Sequence, residues 1–169
     1  MNFCNPRWRP VYIGIGSNLD SPREQVARAV EALRAIKNSM LVRTSPLYRS
    51  EPLDGSEQPD YINAVSALLT QLDAISLLDC LMKIEKQQGR LRNDDKYGPR
   101  TIDLDLLVYS NVLIKEKNLK VPHPGISKRN FVLLPLLDIA PHLRIPGLAS
   151  LSNLAADVDK TNPRIDKLM

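Results

Sequence analysis

The chain has 169 residues, enough for one domain whose core needs neither disulfides nor a structural metal. Lys and Arg number 23 against 19 Asp and Glu, a net charge of +4; the signs are interleaved rather than laid down as a run, which argues against nucleic acid and fits a small anionic ligand. The two cysteines, Cys4 and Cys80, form no CxxC pair. With no signal-peptide pattern and no run of about 18 apolar residues, the expectation is a reduced, cytoplasmic location and no membrane partner.

In chain order, residues 1–10 read as a loose arm and 11–169 as a single domain. "VYIGIGS" (Val11 to Ser17) predicts a buried strand. "SPREQVARAVEALRAI" (Ser21 to Ile36) predicts a helix with Ser21 as N-cap, Pro22 in the first position and Glu24 completing a capping box; Val26, Ala29, Val30, Leu33 and Ile36 form its apolar face. "MLVRTSPLYRS" (Met40 to Ser50) and "YINAVSALLT" (Tyr61 to Thr70) predict two strands joined by the turn-rich loop "EPLDGSEQPD". A second helix from Ala74 to Gln88 would bury Ile75, Leu78, Leu81, Met82 and Ile84, with Gly89 stopping it. "TIDLDLLVY" predicts a fourth strand and "LIKEKNLKVPH" an edge excursion rich in lysine.

The order β-α-β-β-α-β predicts an α+β fold of the ferredoxin-like kind, an antiparallel sheet with both helices on one face. "FVLLPLLDIA" and "LASLSNLAADV" add helices beyond that core. "GIGSNL" lacks the third glycine of a dinucleotide fingerprint, no P-loop is present, and the aromatics are too few for an RNA-stacking sheet.

Within "YGPRTIDLDLLVY" two carboxylates interrupt an apolar run. Asp is depleted in strands and an unpaired buried charge is costly, so something must compensate them. Strand alternation puts Thr101, Asp103, Asp105, Leu107 and Tyr109 on one face, the two aspartates roughly 6.6 Å apart, close enough to converge on a hard divalent cation. A bare D-x-D is also what a solvated strand face carries. The context adds Arg90, Arg92 and Arg100, whose forked guanidinium groups match phosphate oxygens and could equally cap a helix end. A further cluster holds His123, Lys128, Arg129 and Phe131.

Taken together, "YIGIGSNL", "YRSEPL", "QPDYINAV", "IEKQQGRLR", "YGPRTIDLDLL" and "VPHPGISKRNFVLLPL" resemble the 6-hydroxymethyl-7,8-dihydropterin pyrophosphokinase family, in order from Val11 to Gly147. That resemblance implies transfer of diphosphate from ATP to the hydroxymethyl group of 6-hydroxymethyl-7,8-dihydropterin, releasing AMP, in folate biosynthesis. It implies two Mg²⁺ ions on Asp103 and Asp105, which would be the compensating charge, with Asp105 also orienting the attacking hydroxyl. Arg90 and Arg100 would neutralise charge as the bond to AMP breaks. Glu85, Arg92, Tyr97, Leu106, His123 and Arg129 would contact ATP. Gly16, Asn18, Ser50, Leu53, Asn63 and the rings of Tyr61 and Phe131 would hold the pterin. Tyr97, Met82 and Asn118 depart from residues found in some relatives, which bears on nucleotide recognition. A monomer is expected. The competing reading, a non-catalytic module that senses a nucleotide or pterin, has no need of paired metal-binding carboxylates.

Overall fold

Alternation in the first strand sets the architecture. In β1 (Arg9–Ser17) Val11, Ile13 and Ile15 are at most 3% exposed and lie in one core, while Tyr12, Gly14 and Gly16 turn to the opposite face. A computed structural model describes residues 7–90, 98–158 and 163–168. Strand β1 begins at Arg9, which pairs with Thr70, so the strand takes in the last two residues of the expected arm.

Next come α1 (Pro22–Arg34), β2 (Ser39–Thr44), β3 (Tyr48–Ser50), β4 (Tyr61–Thr70), α2 (Ala74–Gln87) and β5 (Asp103–Tyr109). A small hairpin of β6 (Ile114–Lys115) and β7 (Lys120–Val121) follows, then α3 (Asn130–Ile139), α4 (Leu151–Asp157) and β8 (Ile165–Lys167). The main sheet runs β5-β1-β4-β3-β8, with β2 also beside β4, and every pairing is antiparallel. Val26, Ala29 and Leu33 of α1 and Leu77 and Leu81 of α2 pack on the Ile13 face. Leu133 and Leu136 of α3 and Leu151 of α4 pack with Val65, Leu107 and Val108 on the other. The protein is therefore α+β, with helices on both faces of an antiparallel sheet.

Several local expectations are corrected. Ser21 does not cap α1 with its side chain: Asp20 and Ser21 both take left-handed backbone, φ 52° and 63°, and the Ser21 carbonyl instead accepts the Glu24 and Gln25 N–H groups at 2.9 and 3.1 Å. Pro22 does open the helix. The strand expected from Met40 to Ser50 is two strands. Pro46 cannot donate to a ladder, and at the break Ser45 exchanges bonds with Val65, N–H to carbonyl at 2.9 Å and Oγ accepting the Val65 N–H at 3.0 Å.

Helix α2 is rotated from its expected face. Ala74, Leu77, Leu81, Ile84 and Glu85 are buried, whereas Ile75 and Met82 are 42% and 40% exposed. Gly89, at φ 81°, ends it as expected. In β5 a bulge at Leu107 lets Tyr12 face Val108 while Ile13 faces Leu106. Asp103, Asp105 and Leu107 keep one face, but Tyr109 crosses to the α1–α2 core, contrary to strict alternation.

Candidate active site

Sheet register builds the site. Asp103 lies opposite Gly16, which lies opposite Asn63, and Asp105 lies opposite Gly14, which lies opposite Val65. Both carboxylates thus stand beside strand positions without side chains, on the face where α3 ends its cover. A Cβ on Gly16 would come 3.3 Å from Asn63 Oδ1, and one on Gly14 3.3 Å from Leu107 Cδ2. The glycines leave a cavity of about 260 Å³. Arg90, Arg100, Asp103, Asp105, His123 and Arg129 line it, as do Gly16, Ser50, Leu53, Tyr61, Asn63 and Phe131.

The two aspartates have different partners. Asp103 is ion-paired with both Arg90 and Arg100, and Arg90 also pairs with Glu85. Glu85 is 3% exposed and accepts the Leu104 N–H at 2.8 Å, so a buried carboxylate anchors the arginine from below. The charge compensating Asp103 here is arginine, which corrects the reading that metal alone supplies it. Asp105 has looser partners, His123 Nε2 at 3.9 Å and Arg129 Nη1 at 3.7 Å. Burial, then the neighbouring Asp103, push its carboxyl above the usual range. Burial pushes the His123 imidazole down, against the pull of Asp105. Because His123 Nδ1 accepts the Gly125 N–H at 3.0 Å, the neutral ring carries its proton on Nε2, facing Asp105.

Ser50, 2% exposed, accepts from Asn63 Nδ2 at 3.0 Å. Tyr61 and Phe131 come from β4 and the start of α3, and the Arg129 guanidinium lies 5.8 Å from the Phe131 ring centre.

Three expected contacts are placed otherwise. Glu85 lies beneath Arg90 and does not line the cavity; the Leu106 side chain is buried in the α1–α2 core. Asn18, 2% exposed, is not a cavity wall. Its Oδ1 accepts the Arg100 N–H at 2.7 Å while Nδ2 donates to Gln58 Oε1 and the Pro59 carbonyl, both at 3.0 Å, tying together the segments before β5 and β4. Arg92 and Tyr97 lie outside the described residues. Met82 and Asn118 are exposed. Sequence reasoning missed Gly14, Glu51, Asp54, Gln58 and Val132 as lining residues; Gly14 was legible, since G-x-G on a strand puts both glycines on one face.

Among the described residues no cluster of three His, Cys, Asp or Glu could hold a metal. Two carboxylates beside open space nevertheless fit Mg²⁺, which commonly takes one or two carboxylates and completes its shell with phosphate oxygens and water. Asp103 retains acceptor capacity beyond its two arginines.

A sheet-floored cavity lined by arginines, a pair of carboxylates and two aromatic rings has the chemistry that phosphoryl transfer to a flat acceptor needs. Residues 12–141 match the 7,8-dihydro-6-hydroxymethylpterin-pyrophosphokinase (HPPK) family, and the chain belongs to it. It is an enzyme, a pyrophosphokinase of folate biosynthesis. The chain is 47% identical over 146 residues to the 2-amino-4-hydroxy-6-hydroxymethyldihydropteridine pyrophosphokinase of Pseudomonas aeruginosa, covering 86% of this chain and 90% of that one. It is 43% identical over 143 residues to the Haemophilus influenzae protein of the same name, covering 85% and 89%. A Plasmodium falciparum HPPK-DHPS structure with pterin and p-hydroxybenzoate shares the fold, at TM-score 0.70 and 14% identity over 92% of this chain. The chain spans 44% of that longer protein.

Proposed function

We propose that the chain transfers the diphosphate of ATP to the hydroxymethyl group of 6-hydroxymethyl-7,8-dihydropterin, releasing AMP. The observation that carries this is the order across the sheet: Asp103 and Asp105 stand on β5, Asn63 and Tyr61 two strands away on β4 and Ser50 on β3, with Arg129 and Phe131 lining the same cavity. The bicyclic ring fits between Tyr61 and Phe131, with Asn63 and Ser50 reading its polar edge and Gly16 leaving room beneath. Its hydroxymethyl group then points toward Asp105.

Asp103 and Asp105 would hold two Mg²⁺ ions. Mg²⁺ held there would supply positive charge that offsets the charge of the phosphates. Asp105, the less engaged carboxylate, orients the attacking hydroxyl. Arg90 and Arg100, anchored on Asp103, present guanidinium groups to the charge that develops as the bond to AMP breaks. His123 and Arg129, beside Asp105, reach further phosphate oxygens, with Arg92 and Tyr97 joining from the adjoining segment. Leu106 would offer adenine its backbone on the β5 edge, and Glu85 serves ATP by holding Arg90.

The strand order β5-β1-β4-β3 supports the ferredoxin-like description. No helix among the described residues is long and apolar enough to cross a membrane, and a cytoplasmic location is part of the proposal. A monomer without nucleic-acid partners completes the proposal. Incubation with ATP, Mg²⁺ and the pterin tests it: AMP as nucleotide product is expected. ADP as the main product would mean an ordinary kinase, and no turnover would favour a sensor.

A further inference from the structure

The matched family region ends at residue 141, yet residues 163–168 return to strand β3, which carries Ser50 of the cavity wall. Strand β8 covers the outer edge of β3, pairing Ser50 with Ile165, Arg49 with Asp166 and Tyr48 with Lys167. The Glu51 N–H donates to the Arg164 carbonyl at 3.1 Å and the Leu168 N–H to the Leu47 carbonyl at 2.8 Å, so the pairing continues past both ends of β3. This segment also grips α3. The side chain of Asn130, wholly buried, donates through Nδ2 to the Pro163 carbonyl at 2.7 Å. At the far end Asp138 accepts from Lys167 Nζ at 2.9 Å and from the Tyr48 hydroxyl at 2.7 Å.

These bonds join two walls of one half-site. β3 carries Ser50, which fixes Asn63; α3 begins at Asn130, so the residue clamped to Pro163 stands immediately before Phe131. Arg90 and Arg100 are instead paired with Glu85 of α2 and Asp103 of β5. We infer that residues 163–168 are a strap that sets the gap between β3 and the start of α3, and that Asn130 is the positioning residue through which it fixes the Phe131 ring. The inference rests on the pterin reading of that half-site. A ring held in place before the ligand arrives lowers the ordering cost of binding, so loss of the strap should weaken the flat heterocycle selectively.

Calorimetry on the full chain tests this, titrating the reduced pterin in the presence of Mg²⁺ and a non-hydrolysable ATP analogue, and separately the analogue alone. Asn130→Asp keeps the side-chain shape but cannot donate to the Pro163 carbonyl; Asn130→Ala removes both. Both should weaken pterin binding about tenfold, the scale of one buried hydrogen bond, and leave analogue binding within about twofold. Lys167→Ala, at a half-exposed side chain, loosens the other end and should weaken pterin binding a few-fold. If neither Asn130 variant folds, Lys167→Ala decides: selective loss supports the strap, and no loss overturns it. Pterin and analogue affinities falling together, or pterin affinity unchanged in a folded Asn130 variant, would also overturn it. A wild-type chain that binds the analogue but not the pterin would overturn the proposed function and the strap with it.

Discussion

Asp103 and Asp105 stand two residues apart on one face of one strand, each opposite a glycine, and their surroundings still differ. Asp103 is clamped by Arg90 and Arg100, and Arg90 is anchored by the buried Glu85; among the described residues Asp105 is paired with His123 and Arg129, at 3.9 and 3.7 Å. Identical chemistry at a shared register thus separates into a carboxylate that organises the arginines and one whose charge is under-compensated. A cation arriving with phosphate gains most beside the second. The first sets where the guanidinium groups sit before any ligand binds.

Turnover is where the two halves should behave alike. On the proposed roles, Asp103→Asn and Asp105→Asn each take away a ligand of the cations that neutralise phosphate charge, and each should lower turnover on the order of 10³-fold, about 4 kcal/mol. Steady-state assays check this. A variant retaining near-normal rates would leave its aspartate outside the chemistry.

Apo stability should then separate them. Breaking the Asp103 clamp leaves two partly buried arginines without their shared carboxylate, at a cost of about 1–3 kcal/mol. Asp105→Asn should instead hold or raise stability at neutral pH. Its folded carboxyl titrates above the unfolded one, so the folded state binds more protons and the wild-type fold loses stability as pH rises through the folded pKa. Asparagine has no such loss, and its advantage should vanish as pH falls below that point. Denaturant titrations at several pH values measure both effects.

How much of this was legible in the sequence varies by element. The order of the main strands and helices and the shared face of the D-x-D could be read, because alternation and turn chemistry are local signals; the pairing of Tyr61 with Phe131 came from the family resemblance alone. The rotation of α2 could not: Glu85 takes an interior position where the Leu104 N–H, nineteen residues on, and the Arg90 guanidinium meet its carboxylate. The break in β2–β3 was signalled by Pro46 and overlooked. Strand β8 carries no hydrophobic alternation in "IDK" and exists through backbone pairing with β3. The clamp on Asp103 required knowing where Arg90 lands after the helix ends.

The aromatic half sharpens the contrast from outside the charged cluster. Tyr61→Ala or Phe131→Ala should weaken pterin binding by about 1–3 kcal/mol, the scale of a base stacked on an aromatic ring, with ATP-analogue affinity barely changed. Equal loss of both ligands in calorimetry would mean the rings serve the core. Smaller still, Arg49→Ala cuts half-exposed pairs with Asp60 and Asp166 and should change stability by less than about 1 kcal/mol by thermal unfolding.

The most direct test of the metal assignment is the melting temperature of Asp105→Asn beside wild type, apo and with a non-hydrolysable ATP analogue, with and without Mg²⁺. A retained apo melting temperature together with loss of the Mg²⁺-dependent rise seen in wild type is the expected result. A full Mg²⁺-dependent rise in the variant, equal to that of wild type, would contradict the assignment of Asp105 as a metal ligand.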